Sequence, residues 1–195
     1  LDLPRPRLIG RHQVENAGTA IATLRALEGL HLPAEAYEEG LQRADWPARM
    51  QRLGTGKLIR LLPEGAELWL DGGHNVAGGM AVTAALAELE DRVSRPLVLV
   101  AGMLTTKDSE GFFACFTGMA RALFAVPVPG EASRKPEEIA SAASRAGLKA
   151  TAASGVEDAL KQIAALPWEA PPRVLITGSL YLAGEVLDLN GTPPT

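Results

Sequence analysis

The chain has 195 residues, 47% of them apolar, a single cysteine and a formal net charge of −4. That is enough chain and enough apolar side chain for one medium domain with a small attachment. The charge balance offers no broad basic field for nucleic acid, no apolar run approaches the ~20 residues of a membrane helix, and no signal peptide is visible.

Residues 1–10 carry Pro4 and Pro6 and read as an extended lead-in. The chain opens on Leu1 rather than Met, as expected of a processed product or a fragment. A helical pattern then runs from Gly10 to about Leu27, and a second from Pro33 to Arg43, with proline and Glu35 in its first turn. These two helices hold too few apolar residues for a core of their own. Trp46-Pro47 marks a boundary, followed by two expected strands, 57–62 and 67–71, joined at the turn Pro63-Glu64-Gly65.

From Asp71 onward strands and helices alternate: helix 75–90, strand 97–101, helix 108–119, strand 122–126, helix 136–146, strand 148–152, helix 156–165, strand 173–177 and helix 179–188. Leu97-Val98-Leu99-Val100 and Val174-Leu175-Ile176 are apolar at every position, as parallel strands covered on both faces must be. This rhythm predicts an α/β fold: a doubly wound, mostly parallel sheet with an antiparallel hairpin strand at one edge. The last residues, from Asn190 on, are expected to be disordered. Cys115 lies within Phe112-Phe113-Ala114-Cys115-Phe116 and reads as a small buried hydrophobe; one cysteine forms no internal disulfide, which fits a reducing cytoplasm.

The chemistry-bearing residues cluster where strands end. Leu68-Trp69-Leu70-Asp71-Gly72-Gly73-His74-Asn75 reads as a buried strand stopping at a tight turn, with Asn75 capping the next helix. In an open α/β sheet such strand ends are where ligands bind, so Asp71, His74 and Asn75 are candidate site residues. A buried carboxylate at this place needs a partner; the alternative is a turn aspartate bonding backbone amides, beside a packed histidine.

Gly102-Met103-Leu104-Thr105-Thr106-Lys107-Asp108 ends the next strand, where Lys107 can meet phosphate or carboxylate or stay solvated, and Asp108 caps a helix. Thr177-Gly178-Ser179-Leu180-Tyr181 repeats the arrangement at the last strand. Ser179 is the expected N-cap, with helix amides behind it for an anion, and it has no neighbours that would make it a nucleophile. His12, Gln13 and Asn16 stand at a helix start, either reading a purine edge or capping the helix in solvent. Arg49 can fork a phosphate or lie on the surface. No phosphate-binding P-loop, Gly-x-Gly-x-x-Gly or zinc spacing is present, so a nucleotide handled here would find only one wall of its site.

Five motifs occur in the order found in the folylpolyglutamate synthase/dihydrofolate synthase family of the Mur ligase superfamily, which the chain resembles over essentially its whole length. They are His12-Gln13-x-x-Asn16-Ala17, Trp46-Pro47-Ala48-Arg49, Leu70-Asp71-Gly72-Gly73-His74-Asn75, Gly102-Met103-Leu104 with Lys107-Asp108, and Thr177-Gly178-Ser179-Leu180-Tyr181-Leu182. The family pattern has alanine where Gly73 stands and glycine where Ala48 stands. The resemblance is to the C-terminal part of such proteins only, and implies a Rossmann-like domain of the Mur ligase C-terminal type, with helices on both faces of the sheet.

It also implies an organisation: residues 1–44 as the last helices of a largely absent central domain with a linker, 45–190 as the glutamate-ligase domain and 191–195 as a disordered tail. The implied reaction uses ATP and Mg2+ to turn a carboxylate of folate or dihydropteroate into an acyl phosphate, which the amine of L-glutamate attacks. Asn16, Arg49 and Asp71 are the implied nucleotide contacts; His74 and Ser179 are assigned to the incoming glutamate, Lys107 is a further candidate substrate contact, and Asp71 and His74 are the candidate catalytic pair. No metal ligand is expected in this chain, because the P-loop and metal site belong to the missing region. The isolated chain is therefore expected to be inactive, and the complete enzyme to be a cytoplasmic monomer. Two other readings compete: another Mur-type ligase of cell-wall synthesis, and a stand-alone module binding glutamate or a nucleotide.

Overall fold

A computed structural model describes residues 2–130 and 132–193. Its strands are β1 (Gln51–Arg52), β2 (Glu67–Leu70), β3 (Leu97–Ala101), β4 (Ala120–Ala125), β5 (Ala150–Ala152) and β6 (Arg173–Thr177). Its helices are α1 (Arg11–Ala26), α2 (Ala34–Arg43), α3 (Val76–Arg92), α4 (Ser109–Ala114), α5 (Pro136–Arg145), α6 (Val156–Ala164) and α7 (Leu180–Asn190). The strands form one six-stranded sheet in the order β1-β2-β6-β3-β4-β5, parallel throughout except for the antiparallel β1–β2 pair at one edge.

Strand alternation divides the core in two. On one face Leu68, Leu70, Val98, Val100, Val174 and Ile176 pack with Leu160 and Ile163 of α6 and Leu182 and Val186 of α7. On the other, Trp69, Leu97, Leu99 and Leu175 pack with Val82 and Leu86 of α3, Phe112 and Phe113 of α4, and Ile139 of α5. Both faces are covered, which is why β3 is apolar throughout and β6 is apolar except at its two ends, Arg173 and Thr177. The strand order matters most for function: β6 lies between β2 and β3, with Leu70 level with Ile176 and Ala101 level with Thr177. The three loops that follow these strands therefore stand side by side on one rim.

Three local expectations are corrected. Residues 57–62 are not the edge strand; they contain a 3-10 turn, Ile59–Leu61, and the strand pairing with β2 is the two-residue β1. Leu58 and Leu62 are buried while Arg60 between them is exposed, which suits a helical turn and breaks strand alternation. The turn is held from the far end of the chain: Asn190 Oδ1 accepts from the Leu58 amide at 3.1 Å, and its Nδ2 donates to the Thr55 carbonyl at 3.0 Å.

Asn190 is thus buried and closes α7 rather than starting a disordered end. The Thr192 amide bonds the Leu187 carbonyl beyond it, and residues 194 and 195 lie outside the described ones. The helix expected over 108–119 ends at Ala114, and tight turns through Gly118 (φ 79°) lead into β4. Cys115 is half-buried, its thiol 3.6 Å from the Gly111 carbonyl.

At the opposite end of the sheet Arg173 is buried with its side chain only 3% exposed. It donates to Glu67 at 2.9 Å, to Glu90 at 3.2 Å and to the Val93 carbonyl at 3.1 Å. Burial pulls the Glu67 carboxyl up, but the bonds from Trp69 and Arg173 and the charges of Arg173 and Arg52 outweigh it and hold the group below its ordinary value. Its contribution to stability is therefore whole above the ordinary carboxylate range and lost as pH falls through the lowered value. Two outcomes follow in urea unfolding of the chain. Arg173→Met strands a buried carboxylate and should cost about 3 kcal/mol. Glu67→Gln should flatten the acid limb of stability against pH.

Candidate functional site

Asp71 follows β2 directly, and only 5% of its surface is exposed. Its carboxylate is spent on the backbone: Oδ1 accepts from the Gly73 amide at 2.7 Å and Oδ2 from the Met50 amide at 2.9 Å. Burial pushes its pKa up, against the two amide bonds and the charges of Arg49 and His12, which pull it down. His74 is half-buried, and its Nδ1 lies 2.9 Å from the Gly72 carbonyl. A carbonyl only accepts, so Nδ1 donates in this bond and Nε2 is the ring nitrogen it leaves uncommitted. Asn75 caps α3 through Gly78.

A cleft of about 420 Å³ opens over this strand end. Asp71, Gly72, Gly73 and His74 form one side, Trp46 and Arg49 another, and His12, Gln13 and Asn16 of α1 the third. Asn16 Nδ2 donates to Gln13 Oε1 at 3.3 Å, which keeps its own carbonyl oxygen unspent in that pair. Four predicted residues, Asn16, Arg49, Asp71 and His74, are brought together from segments far apart in sequence.

Ser179 and Lys107 do not line this cleft. Ser179 is 3% exposed and caps α7, its Oγ accepting from the Tyr181 amide at 3.1 Å. It is nonetheless tied to the cleft floor, because the Gly73 carbonyl accepts from the Gly178 amide at 2.9 Å and from Thr177 Oγ1 at 3.3 Å. Lys107 is half-buried beside the Asp108 cap of α4. Arg134, after β4, donates to the carbonyls of Thr105 and Lys107 and so ties that loop to the next one along the rim.

His12 and Gln13, which the sequence offers beside Asn16, line the cleft as well, as does Asn75. His12 stands one helical turn before Asn16, a spacing that puts both on one face. Trp46, 64% exposed, reads in sequence as a boundary marker and as the first residue of the Trp46-Pro47-Ala48-Arg49 motif, with no site role of its own. An amide, two imidazoles and a guanidinium on one rim suit a ligand with a hydrogen-bonding base and anionic groups, so the residues present fit one side of a nucleotide. They do not fit a metal centre: among the described residues no group of three His, Cys, Asp or Glu is placed to hold an ion. Among those residues, too, no helix is long and apolar enough to cross a membrane.

The family described as "Mur ligase, glutamate ligase domain" matches residues 48–180. Folylpolyglutamate synthase of Lacticaseibacillus casei is 30% identical over 188 residues, 95% of this chain and 40% of that protein. Among solved structures, Mycobacterium tuberculosis folylpolyglutamate synthase complexed with ADP and AMPPCP superposes with a TM-score of 0.80 at 26% identity, over 97% of this chain and 42% of that one. The bifunctional folylpolyglutamate synthase/dihydrofolate synthase of Yersinia pestis, complexed with AMPPNP and Mn ion, gives 0.74 at 25% identity, over 95% and 40%. The chain thus spans about 40% of the length of each of these relatives.

The join between β6 and the cleft floor depends on Gly178. Its φ is 104°, and a Cβ there would lie 2.4 Å from the Gly102 carbonyl oxygen. Gly178→Ala should therefore lower the unfolding free energy by about 3 kcal/mol. Gly184→Ala, inside α7 where a Cβ meets nothing, should raise it by about 0.5–1 kcal/mol. Denaturant unfolding of the two variants checks both signs.

Proposed function

The chain belongs to the Mur ligase glutamate-ligase-domain family, and from that premise we propose that it is the C-terminal part of an ATP-dependent amide ligase that adds L-glutamate to folate, and in its bifunctional form to dihydropteroate. In this reading residues 1–44 complete a central domain that carries the phosphate cradle and Mg2+, and residues 45–190 form the glutamate-ligase domain. The observation that carries it is the convergence of Asn16, Arg49, Asp71 and His74 on one cleft.

Asn16 faces the base and Arg49 the phosphates of ATP, with Asp71 beneath them. Activation of the folate carboxylate as an acyl phosphate is supplied by the ATP. His74, Ser179 and Lys107 serve the incoming glutamate: Lys107 balances a carboxylate, and the first turn of α7 behind Ser179 offers amides to another. With Nδ1–H committed to Gly72, His74 Nε2 is the atom available to take a proton from the glutamate ammonium, freeing the amine to attack the acyl phosphate as inorganic phosphate leaves. The complete protein works as a cytoplasmic monomer.

The test is an ADP-release assay on the complete native protein and on this chain alone. The complete protein should release ADP only with folate or dihydropteroate and glutamate present. Arg49→Ala should lower its kcat/KM for ATP by about 100-fold. The chain alone should be silent; folate-dependent ADP release by it would contradict the proposal. Turnover of a cell-wall nucleotide precursor with folates inert would move the protein to a sister branch, and ligand binding by the native product without any turnover would make it a binding module.

A further inference from the structure

We propose that Asp71 is a positioning residue, the latch of a strained backbone elbow that presents the Arg49 guanidinium to the nucleotide phosphates; this rests on the nucleotide-facing role proposed above for Arg49. Ala48 (φ 57°) and Met50 (φ 42°) are the non-glycine residues with positive φ among those described, and they flank Arg49 directly. Side chains on L-residues disfavour that region, so a pair of such residues around one arginine persists only where the surroundings hold it.

The surroundings do so by hydrogen bonds on both sides of Arg49. The Ala48 amide donates to Gln51 Oε1 at 2.9 Å, and the Ala48 carbonyl accepts from the Gly72 amide at 2.9 Å. The Met50 amide donates to Asp71 Oδ2 at 2.9 Å. Ala48 and Met50 are 3% and 2% exposed, so these anchors lie in the core, while Arg49 between them is half-buried and lines the cleft. Gly72 keeps the space open: a Cβ there would lie 2.2 Å from Leu180 Cδ2 and 3.2 Å from Arg49 Nη1.

The route from Asp71 to Arg49 is the backbone. Asp71 makes no ion pair with Arg49 within 4.0 Å among the described contacts, and each of its oxygens accepts an amide. An arginine fixed at both neighbouring peptides loses little freedom when it meets a phosphate, which is what preorganisation supplies.

The test is a set of variants of the complete enzyme, read as separate KM values for ATP and glutamate. Asp71→Asn has one oxygen for two amides, and should raise the ATP KM by about tenfold while leaving the glutamate KM within about twofold. In an Arg49→Ala background the same change should add less than about twofold, because the residue it serves is gone. Gln51 does not line the cleft, so Gln51→Ala, which frees the other anchor, should raise the ATP KM in the same non-additive way. That arm also decides the question where Asp71→Asn fails to fold. Additive effects of Asp71→Asn and Arg49→Ala would show that Asp71 meets the ligand itself, and a silent Gln51→Ala would show that the elbow needs no anchoring; either overturns the proposal. An Arg49→Ala enzyme with an unchanged ATP KM would overturn the nucleotide-facing role beneath it, and is recognised by that variant alone.

Discussion

The junction at the end of β2 holds the molecule's functional rim together, and it does so with a carboxylate and a carbonyl. Asp71 accepts from the amides of Met50 and Gly73, and the Gly73 carbonyl accepts from Gly178 and Thr177. Three of these bonds join the turn after β2 to the segment before β1 and to the end of β6, and the fourth closes the turn itself. Asp71 would be a costly buried orphan without its partners, and the turn is fully satisfied only when both flanking segments are in place.

Strand order makes the junction possible. With β6 inserted between β2 and β3, the loops that carry Asp71–Asn75, Thr177–Ser179 and Gly102–Asp108 are neighbours, although about 75 residues separate Ala101 from Thr177 in sequence. Helix caps finish the arrangement: Asn75, Asp108 and Ser179 each bind an amide of the helix that follows and start α3, α4 and α7 at the rim. The opposite end of the sheet carries the Arg173–Glu67–Glu90 cluster, so charge at one end serves stability while polar groups at the other remain for a ligand.

Features decided locally were legible in the sequence. β3 and the Val174–Ile176 centre of β6 announce themselves because burial on both faces leaves no polar position there, and the three caps because each bonds an amide within its own first turn. The misassigned 57–62 segment shows the limit. Leu58, Leu61 and Leu62 satisfy a strand or a helical turn, and the choice was made by Asn190, 132 residues away from Leu58. The same distance effect hid Asn190 itself, which looks like a chain end and works as a core hydrogen-bonding group. In the site, the residue types were legible but their states were not. Nothing near Ala48 or Met50 in sequence signals a left-handed backbone; the Asp71-Gly72-Gly73 turn does signal a bond from a neighbouring amide, the alternative that the structure realises, but nothing near Asp71 signals that the Met50 amide takes its other oxygen.

If nucleotide sits in the cleft between α1, the Arg49 elbow and the end of β2, as proposed, its binding must protect that cleft. Hydrogen–deuterium exchange of the complete native protein with and without ADP measures this. Slowed exchange is expected in peptides covering residues 45–52 and 71–78, with the β3–β4 side of the sheet unchanged. Protection elsewhere in the protein, with those two peptides exchanging as before, would contradict that placement.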